Sequence, residues 1–115
     1  MSIVRENLTT PIFEDTAYAQ AQTALPKQKF IKETGAVATA GESGYVSNYD
    51  WNQGDNYSVV RVGTVKVLAG AAVAVGADVE SDGSGRAITL NTGKKNGRAL
   101  TAATNANDVI VIAVP

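Results

Sequence analysis

Residues 71–90 read AAVAVGADVESDGSGRAITL, and this stretch carries the clearest structural signal in the chain. Every odd-numbered position from Ala71 to Val79 is apolar, whereas the even positions become polar at Asp78 and Glu80. Successive side chains of a β-strand point to opposite faces, so a period of two indicates one buried face and one wetter face. The pattern therefore predicts a half-buried strand here.

A hairpin turn is expected directly after this strand. Asp-Gly-Ser-Gly at 82–85 supplies the residues that tight turns favour, because glycine accepts positive φ angles without steric cost. A second strand is expected over Arg86–Leu90, with Ile88 and Leu90 on its buried face.

The segment before residue 71 predicts another strand, in which the inward-facing positions change from even to odd numbers. Val60 and Val62 share one face, but Val65 and Val67 have the other parity, so the slip falls at Gly63. A bulge or a tight turn at that glycine would restore the inward phase.

The carboxyl-terminal part continues as short strands and turns. A short strand is expected over 98–103 and a turn at 105–108, while Val109–Val114 is apolar on both faces. A strand of that kind is usually central, or covered on both sides by a partner. Five or six short strands at this spacing predict a mainly β fold, either a small antiparallel β-sandwich or a barrel.

The first half of the chain is less regular. Residues 1–56 are interpreted as an amino-terminal arm with an irregular subdomain, and residues 57–115 as the β domain. The arm, Met1–Phe13, is expected to be extended because Pro11 breaks any helix there. Its apolar side chains would pack on their own domain or reach a neighbouring chain. A short helix or turn is favoured over Glu14–Leu25, although a period of two is also present there.

Composition excludes several classes of function. The 115 residues include 10 basic and 11 acidic side chains, a formal net charge of −1, and neither histidine nor cysteine. Disulfides, Cys/His zinc sites and His-based catalytic triads are therefore excluded. Such a balanced surface favours neither nucleic acid nor an anionic membrane as a partner, and no segment approaches the ~18–20 apolar residues of a membrane helix. The first 20 residues do not read as a secretory signal, so synthesis in the cytoplasm is expected.

No arrangement of reactive side chains is apparent, so the sequence predicts no enzyme activity, cofactor or metal site. Lys66, in Val-Lys-Val, resembles the modified lysine of biotin- or lipoyl-carrying domains, but it falls in the middle of a predicted strand instead of at an exposed turn. The carboxylates that fall in polar turns are expected to be solvated, without the shifted pKa values that acid–base work needs; they are Glu42, Asp50, Asp55, Glu80 and Asp108.

Aromatic residues are concentrated at Tyr45, Tyr49, Trp51 and Tyr57. They could form core, anchor a protein interface, or offer a stacking platform for a sugar or a base. No lysine or arginine lies between residues 33 and 60, which disfavours nucleic acid. Core or interface anchoring is favoured, because tyrosine and tryptophan are enriched at both.

Five segments follow one another in a recurring order over residues 63–114. They read GTVKV from Gly63, AAVAVGADV from Ala71, DGSGRAITL from Asp82, GRALTAA from Gly97 and DVIVIAV from Asp108. In this order the chain resembles the small β cement, or head decoration, proteins of tailed bacteriophages.

The resemblance implies a structural protein without catalytic residues, often a homotrimer, that binds the outside of an assembled phage head. It implies binding to the major capsid protein at junctions between its subunits, and resistance to the pressure of packaged DNA. Such a protein is made in the host cytoplasm and resides on the virion exterior. The residues expected at protein interfaces are Ile3, Val4, Leu8, Ile12 and Phe13, followed by Tyr45, Tyr49 and Trp51.

Two other hypotheses stay open at this point. One is a glycan-binding β module of a phage fibre or tail, which would use Tyr45, Tyr49 and Trp51 as an exposed aromatic ledge. The other is a small enzyme or carrier, which would need convergent carboxylates in a pocket or modification of Lys66.

Overall fold

A computed structural model describes the backbone of residues 10–114 and the side chains from Gln20 to Val114. The described residues contain no helix, and therefore none that could cross a membrane. Instead they form eight strands: β1 (Thr10–Gln20), β2 (Phe30–Ile31), β3 (Tyr45–Val46), β4 (Asn56–Leu68), β5 (Asp78–Ser81), β6 (Ala87–Thr89), β7 (Gly97–Ala99) and β8 (Val109–Val114). The predicted mainly β fold is confirmed.

All strands belong to one antiparallel sheet that curls towards a closed barrel. The order is β2-β3-β4-β8-β7-β5-β6, and β1 pairs with β4 outside this path. The two ends of the sheet meet, because the N–H of Phe30 in β2 donates to the carbonyl oxygen of Gly85, next to β6, at 2.8 Å. At the same end of β6, the Gly70 N–H donates to the Ala87 carbonyl oxygen at 2.8 Å. Curling of this kind leaves few unpaired strand edges.

The 13-residue strand β4 connects the two halves of the chain. Val60, Val65 and Val67 are fully buried, so the inward phase changes between 60 and 65, as the sequence predicted. The strand runs through Gly63, which has a φ of 120°, without a turn. The ladder to β1 is irregular at the same place, where Pro11 lies opposite Gly63.

Two apolar clusters fill the interior. The main core joins β4 and β8 to residues from the first half of the chain, including Phe30, Ala38 and Val46. A second cluster consists of Ala21, Leu25, Ile31, Tyr57 and Val59, with Val37, Tyr45 and Trp51 packed against it.

The short helix favoured over Glu14–Leu25 is wrong. The chain there belongs to β1 as far as Gln20, and Leu25 then exchanges two backbone hydrogen bonds with Trp51, each 2.9 Å long. A long ladder to β4 pairs one edge of β1, and this distant pairing outweighs a weak local helix preference.

The strand predicted from Ala71 is also shorter than expected. Val73 and Val79 are buried, but Val75 is 65% exposed. Gly76 adopts a φ of 87° and donates its N–H to Ala99, so the chain turns before β5 begins. The alternation of apolar residues in the sequence therefore covers a turn as well as the strand β5.

The hairpin and the final strand are confirmed, with one change of face. β5 and β6 pair across the predicted turn, but Ala87 is the fully buried residue of β6, while Ile88 is only partly covered. β8 lies between β4 and β7, so it is central as predicted. Both of its faces are covered, since Ile110 and Ile112 on one face and Val111 on the other are buried. The strand predicted over 98–103 is limited to β7.

Candidate functional site

The residues expected in the arm divide into two groups. Ile3, Val4 and Leu8 lie outside the described residues. Ile12 and Phe13 belong to β1, whose backbone pairs with β4. Thr10, the first residue of β1, lies opposite Thr64 of β4.

Tyr49 and Trp51 form an edge-to-face pair. Their ring centroids are 6.1 Å apart with an interplanar angle of 81°. The indole N–H of Trp51 donates to Ser47 Oγ at 2.7 Å, which fixes the half-buried ring, whereas Tyr49 is 57% exposed. Two rings at this angle do not form the flat ledge that a sugar-binding platform would need.

Tyr45 has a different environment from that pair. It packs against the second apolar cluster beside Ile31, and the Arg61 guanidinium lies 5.0 Å from the centre of its ring. Tyr57 is core: it is 1% exposed, and its hydroxyl donates to the Lys32 carbonyl oxygen at 3.2 Å. Burial disfavours the phenolate and raises the pKa of Tyr57.

An open cleft of about 480 Å³ is lined in part by Tyr45. Its walls come from the end of β2, the loop before β3 and the loop before β7. The lining residues are Lys32, Glu33, Gly41, Glu42, Ser43, Gly44, Tyr45 and Lys94.

Glu42 is held at the cleft by a local turn. Its carboxylate accepts the backbone N–H of Thr39 at 2.8 Å and a short hydrogen bond from the Thr39 hydroxyl. The Lys32 ammonium lies 3.5 Å from the other carboxylate oxygen. The Thr39 hydrogen bonds, assisted by the charge of Lys32, lower the pKa of Glu42, so it is ionised at neutral pH.

A buried amide ties the two loops of the cleft together. The side chain of Asn96, only 5% exposed, accepts the Gly44 N–H at 3.1 Å and donates to the Glu42 carbonyl oxygen at 3.0 Å. The Lys94 N–H adds a backbone bond to the Gly41 carbonyl oxygen at 2.9 Å. No local sequence signal marks Asn96, because both partners of its side chain are distant in sequence.

Glu80 holds the loop before β7 through hydrogen bonds. The expectation that this carboxylate is solvated is wrong. The residue is 6% exposed, and its carboxylate accepts the N–H groups of Asn91 at 2.6 Å and Gly93 at 3.0 Å. These hydrogen bonds stabilise the ionised form and lower the pKa of Glu80. A buried carboxylate is thereby satisfied by backbone donors.

The other turn carboxylates have the same kind of role. Asp50 accepts the Lys27 N–H at 2.8 Å, and Asp55 accepts the Asn52 N–H at 2.8 Å. Asp108 accepts two backbone N–H groups, which lower its pKa. Asp55 and Asp108 thus stabilise turns, whereas Asp50 joins two segments that are 23 residues apart. Among the described residues, no group of three or more acidic side chains could hold a metal ion.

Lys66 lies within β4 opposite Val111 of β8, as the sequence predicted. A carrier domain would present its modified lysine at an exposed turn, whereas Lys66 lies in the middle of a strand.

Comparisons with known proteins agree with this architecture. The sequence profile described as phage cement protein matches residues 14–114. Among solved structures, the head fiber gp8.5 N base of bacteriophage phi29 is similar, with a TM-score of 0.66 and 17% sequence identity over 90% of this chain and 93% of that chain. No curated protein sequence matches the chain. The structural similarity shows a shared fold, and the profile match over most of the sequence shows that the chain belongs to the phage cement protein family.

Proposed function

We propose that this protein binds the outer surface of a phage head at the junctions between major capsid subunits, and stabilises the shell against the pressure of packaged DNA. The observation that carries the proposal is the family match over residues 14–114. Membership of a cement family implies a structural, non-enzymatic role in the virion. The shared fold is consistent with it, since a domain of the same fold is the base of a head fibre in phi29.

The amino-terminal arm would supply one set of contacts. Among the described strands, β1 pairs only with β4, so its other edge can accept a further strand. Strand addition gives affinity through main-chain hydrogen bonds. We assign Ile3, Val4 and Leu8, which precede β1, to contacts with capsid or sister subunits.

Self-association is the second part of the proposal. A homotrimer would place three copies of the same surface on the shell, so that each further contact becomes intramolecular. Binding would then be strong even where a single contact is weak. Neither nucleic acid nor membrane is needed as a partner, in line with the net charge of −1.

The experiment is a reconstitution on purified heads that lack the protein. We expect saturable binding with density on the outer surface at subunit junctions in cryo-electron microscopy, and less DNA release on heating. The native mass of the free protein should be three times that of one chain. Absence of binding to the heads would refute the proposal, and a monomeric mass would refute the trimer.

Glycan binding is the second candidate, and it is supported by the single ring of Tyr49, which is 57% exposed. Indole fluorescence is the readout, since a sugar on the Tyr49 ring would change the surroundings of Trp51, the only tryptophan, whose ring centroid is 6.1 Å away. No change across a panel of bacterial surface glycans would remove this candidate.

A further inference from the structure

We infer that the cleft between the loops at 41–44 and 91–96 is a binding site for a carboxylate on the capsid polypeptide, with Lys94 as its main ligand-binding group. This inference rests on the proposed function and identifies which side of the domain faces the head. It depends on the rigidity of the cleft walls, on the donors at its rim, and on the position of its acidic groups.

The walls of the cleft are fixed before any partner binds. Two of the few buried polar side chains in the described chain, Glu80 and Asn96, are used to hold these two loops. Gly41 and Gly93 are in direct backbone contact, where a Cβ atom on Gly93 would lie 2.9 Å from the Gly41 carbonyl oxygen. A preorganised site binds with a smaller loss of conformational entropy than a loose loop.

The rim presents donors that the protein itself does not use. Lys94 and Ser43 are both exposed and line the cleft. Within the described part of the chain, no ion pair or hydrogen bond engages the Lys94 ammonium group or the Ser43 hydroxyl. A lysine and a hydroxyl at one rim are suited to a carboxylate, which accepts charge-assisted hydrogen bonds.

The two acidic side chains of the cleft, Glu33 and Glu42, differ in how strongly they would oppose the binding of a carboxylate. Glu42 already interacts with Lys32 and Thr39, so much of its charge is compensated. Glu33 is exposed at the same cleft without a hydrogen-bond or ion-pair partner among the described residues. A carboxylate ligand would be attracted by Lys94 and repelled by Glu33. A cationic ligand would show the opposite dependence.

The aromatic wall supports a polypeptide ligand. Tyr45 lines the cleft with a ring that Arg61 and the second apolar cluster hold in place. A fixed aromatic ring beside charged groups is a common composition for non-obligate protein interfaces. The chain segment that carries the carboxylate would pack against this ring.

The test compares Lys94→Glu with Lys95→Glu in binding to cement-free heads. Lys95 is the adjacent lysine, but it pairs with Asp78 at 3.3 Å and does not line the cleft. Both variants change the net charge equally, so the difference between them reports the cleft. We expect Lys94→Glu to weaken binding by about tenfold or more, and Lys95→Glu to change it less than about threefold.

A third variant tests the sign of the ligand. Glu33→Gln removes the repelling charge and should leave binding unchanged or strengthen it, and the wild-type affinity should fall with added salt. The inference is overturned if Lys94→Glu binds like the wild type, if both lysine variants lose binding equally, or if Glu33→Gln weakens binding. Wild-type protein that fails to bind the heads would refute the proposed function itself, which keeps the two failures distinct.

Discussion

The side-chain amide of Asn96 donates to the backbone carbonyl oxygen of Glu42 at 3.0 Å, and these residues are 54 positions apart in the sequence. The same amide accepts the Gly44 N–H at 3.1 Å. Asn96→Ala would leave a donor and an acceptor without partners near the protein interior. We expect a loss of about 1–3 kcal/mol in the free energy of unfolding, measured by urea denaturation.

The matched control for this variant is Asn91→Ala on the same loop. The Asn91 side chain is exposed, and the contact of this residue with Glu80 uses its backbone N–H, which alanine retains. Its free energy of unfolding should stay within about 0.5 kcal/mol of the wild type. Equal losses in the two variants would contradict a specific role for the Asn96 amide.

The contact between Gly41 and Gly93 gives a steric prediction. A methyl group on Gly93 would overlap the Gly41 backbone, which cannot move freely because the Lys94 N–H binds its carbonyl oxygen. Gly93→Ala should destabilise the fold by about 1–3 kcal/mol, seen as a lower denaturation midpoint. Gly83→Ala is the control, since its added Cβ meets nothing within 4 Å. A neutral Gly93→Ala would show that the two loops can separate without cost.

Local chemistry explains which parts of the fold were predictable. The turn at 82–85 is specified by its own glycines, and the central position of β8 by its two apolar faces. Residues 14–20 of β1 were not predictable, because their sequence is compatible with helix or strand and only the ladder to β4 decides between them. Val75 was misassigned because the alternation continues unbroken through the turn at Gly76.

The candidate site was less predictable than the fold. Tyr45 and Trp51 were found from their clustering, and both pack against the second apolar cluster. Lys94 was not among the site residues predicted from the sequence. Asn96 and Glu80 become structural only when loops distant in sequence fold back over them, and no short window of sequence contains that information.

Acid should destabilise the protein partly through Glu80. Its folded-state pKa is lowered from 4.5 by the N–H groups of Asn91 and Gly93, so its contribution is present above pH 4.5 and is lost as the pH falls through the folded value. Glu80→Gln should be less stable at pH 7 and should show a shallower loss between neutral and acid pH. Part of the acid dependence should remain, because Glu42 and Asp108 have lowered pKa values as well. An unchanged acid profile in Glu80→Gln would contradict this role.

At alkaline pH the relevant group is Tyr57. Burial raises its folded-state pKa above 10, so its contribution is complete below pH 10 and is lost as the pH rises through the folded value. Tyr57→Phe removes this titration and the hydrogen bond to the Lys32 carbonyl oxygen, which the Gly35 N–H also reaches at 3.0 Å. We expect a loss of about 0.5–1.5 kcal/mol at pH 7 and a flatter alkaline limb, measured by thermal unfolding between pH 7 and pH 11. If the melting temperature of Tyr57→Phe still falls steeply at alkaline pH, other groups cause that fall.

Deletion of residues 1–9 separates the arm from the fold. β1 begins at Thr10, opposite Thr64, so this truncation keeps the whole ladder to β4, whereas removal of residues 1–13 would also cut into the strand. The shortened protein should therefore unfold at nearly the wild-type temperature but bind cement-free heads at least about tenfold more weakly, because Ile3, Val4 and Leu8 are lost. Ser2→Ala in the full-length chain is the control for binding. Full occupancy by the shortened protein would show that the β domain alone provides the capsid contacts. A large fall in its melting temperature would instead indicate that the deleted segment supports its own domain.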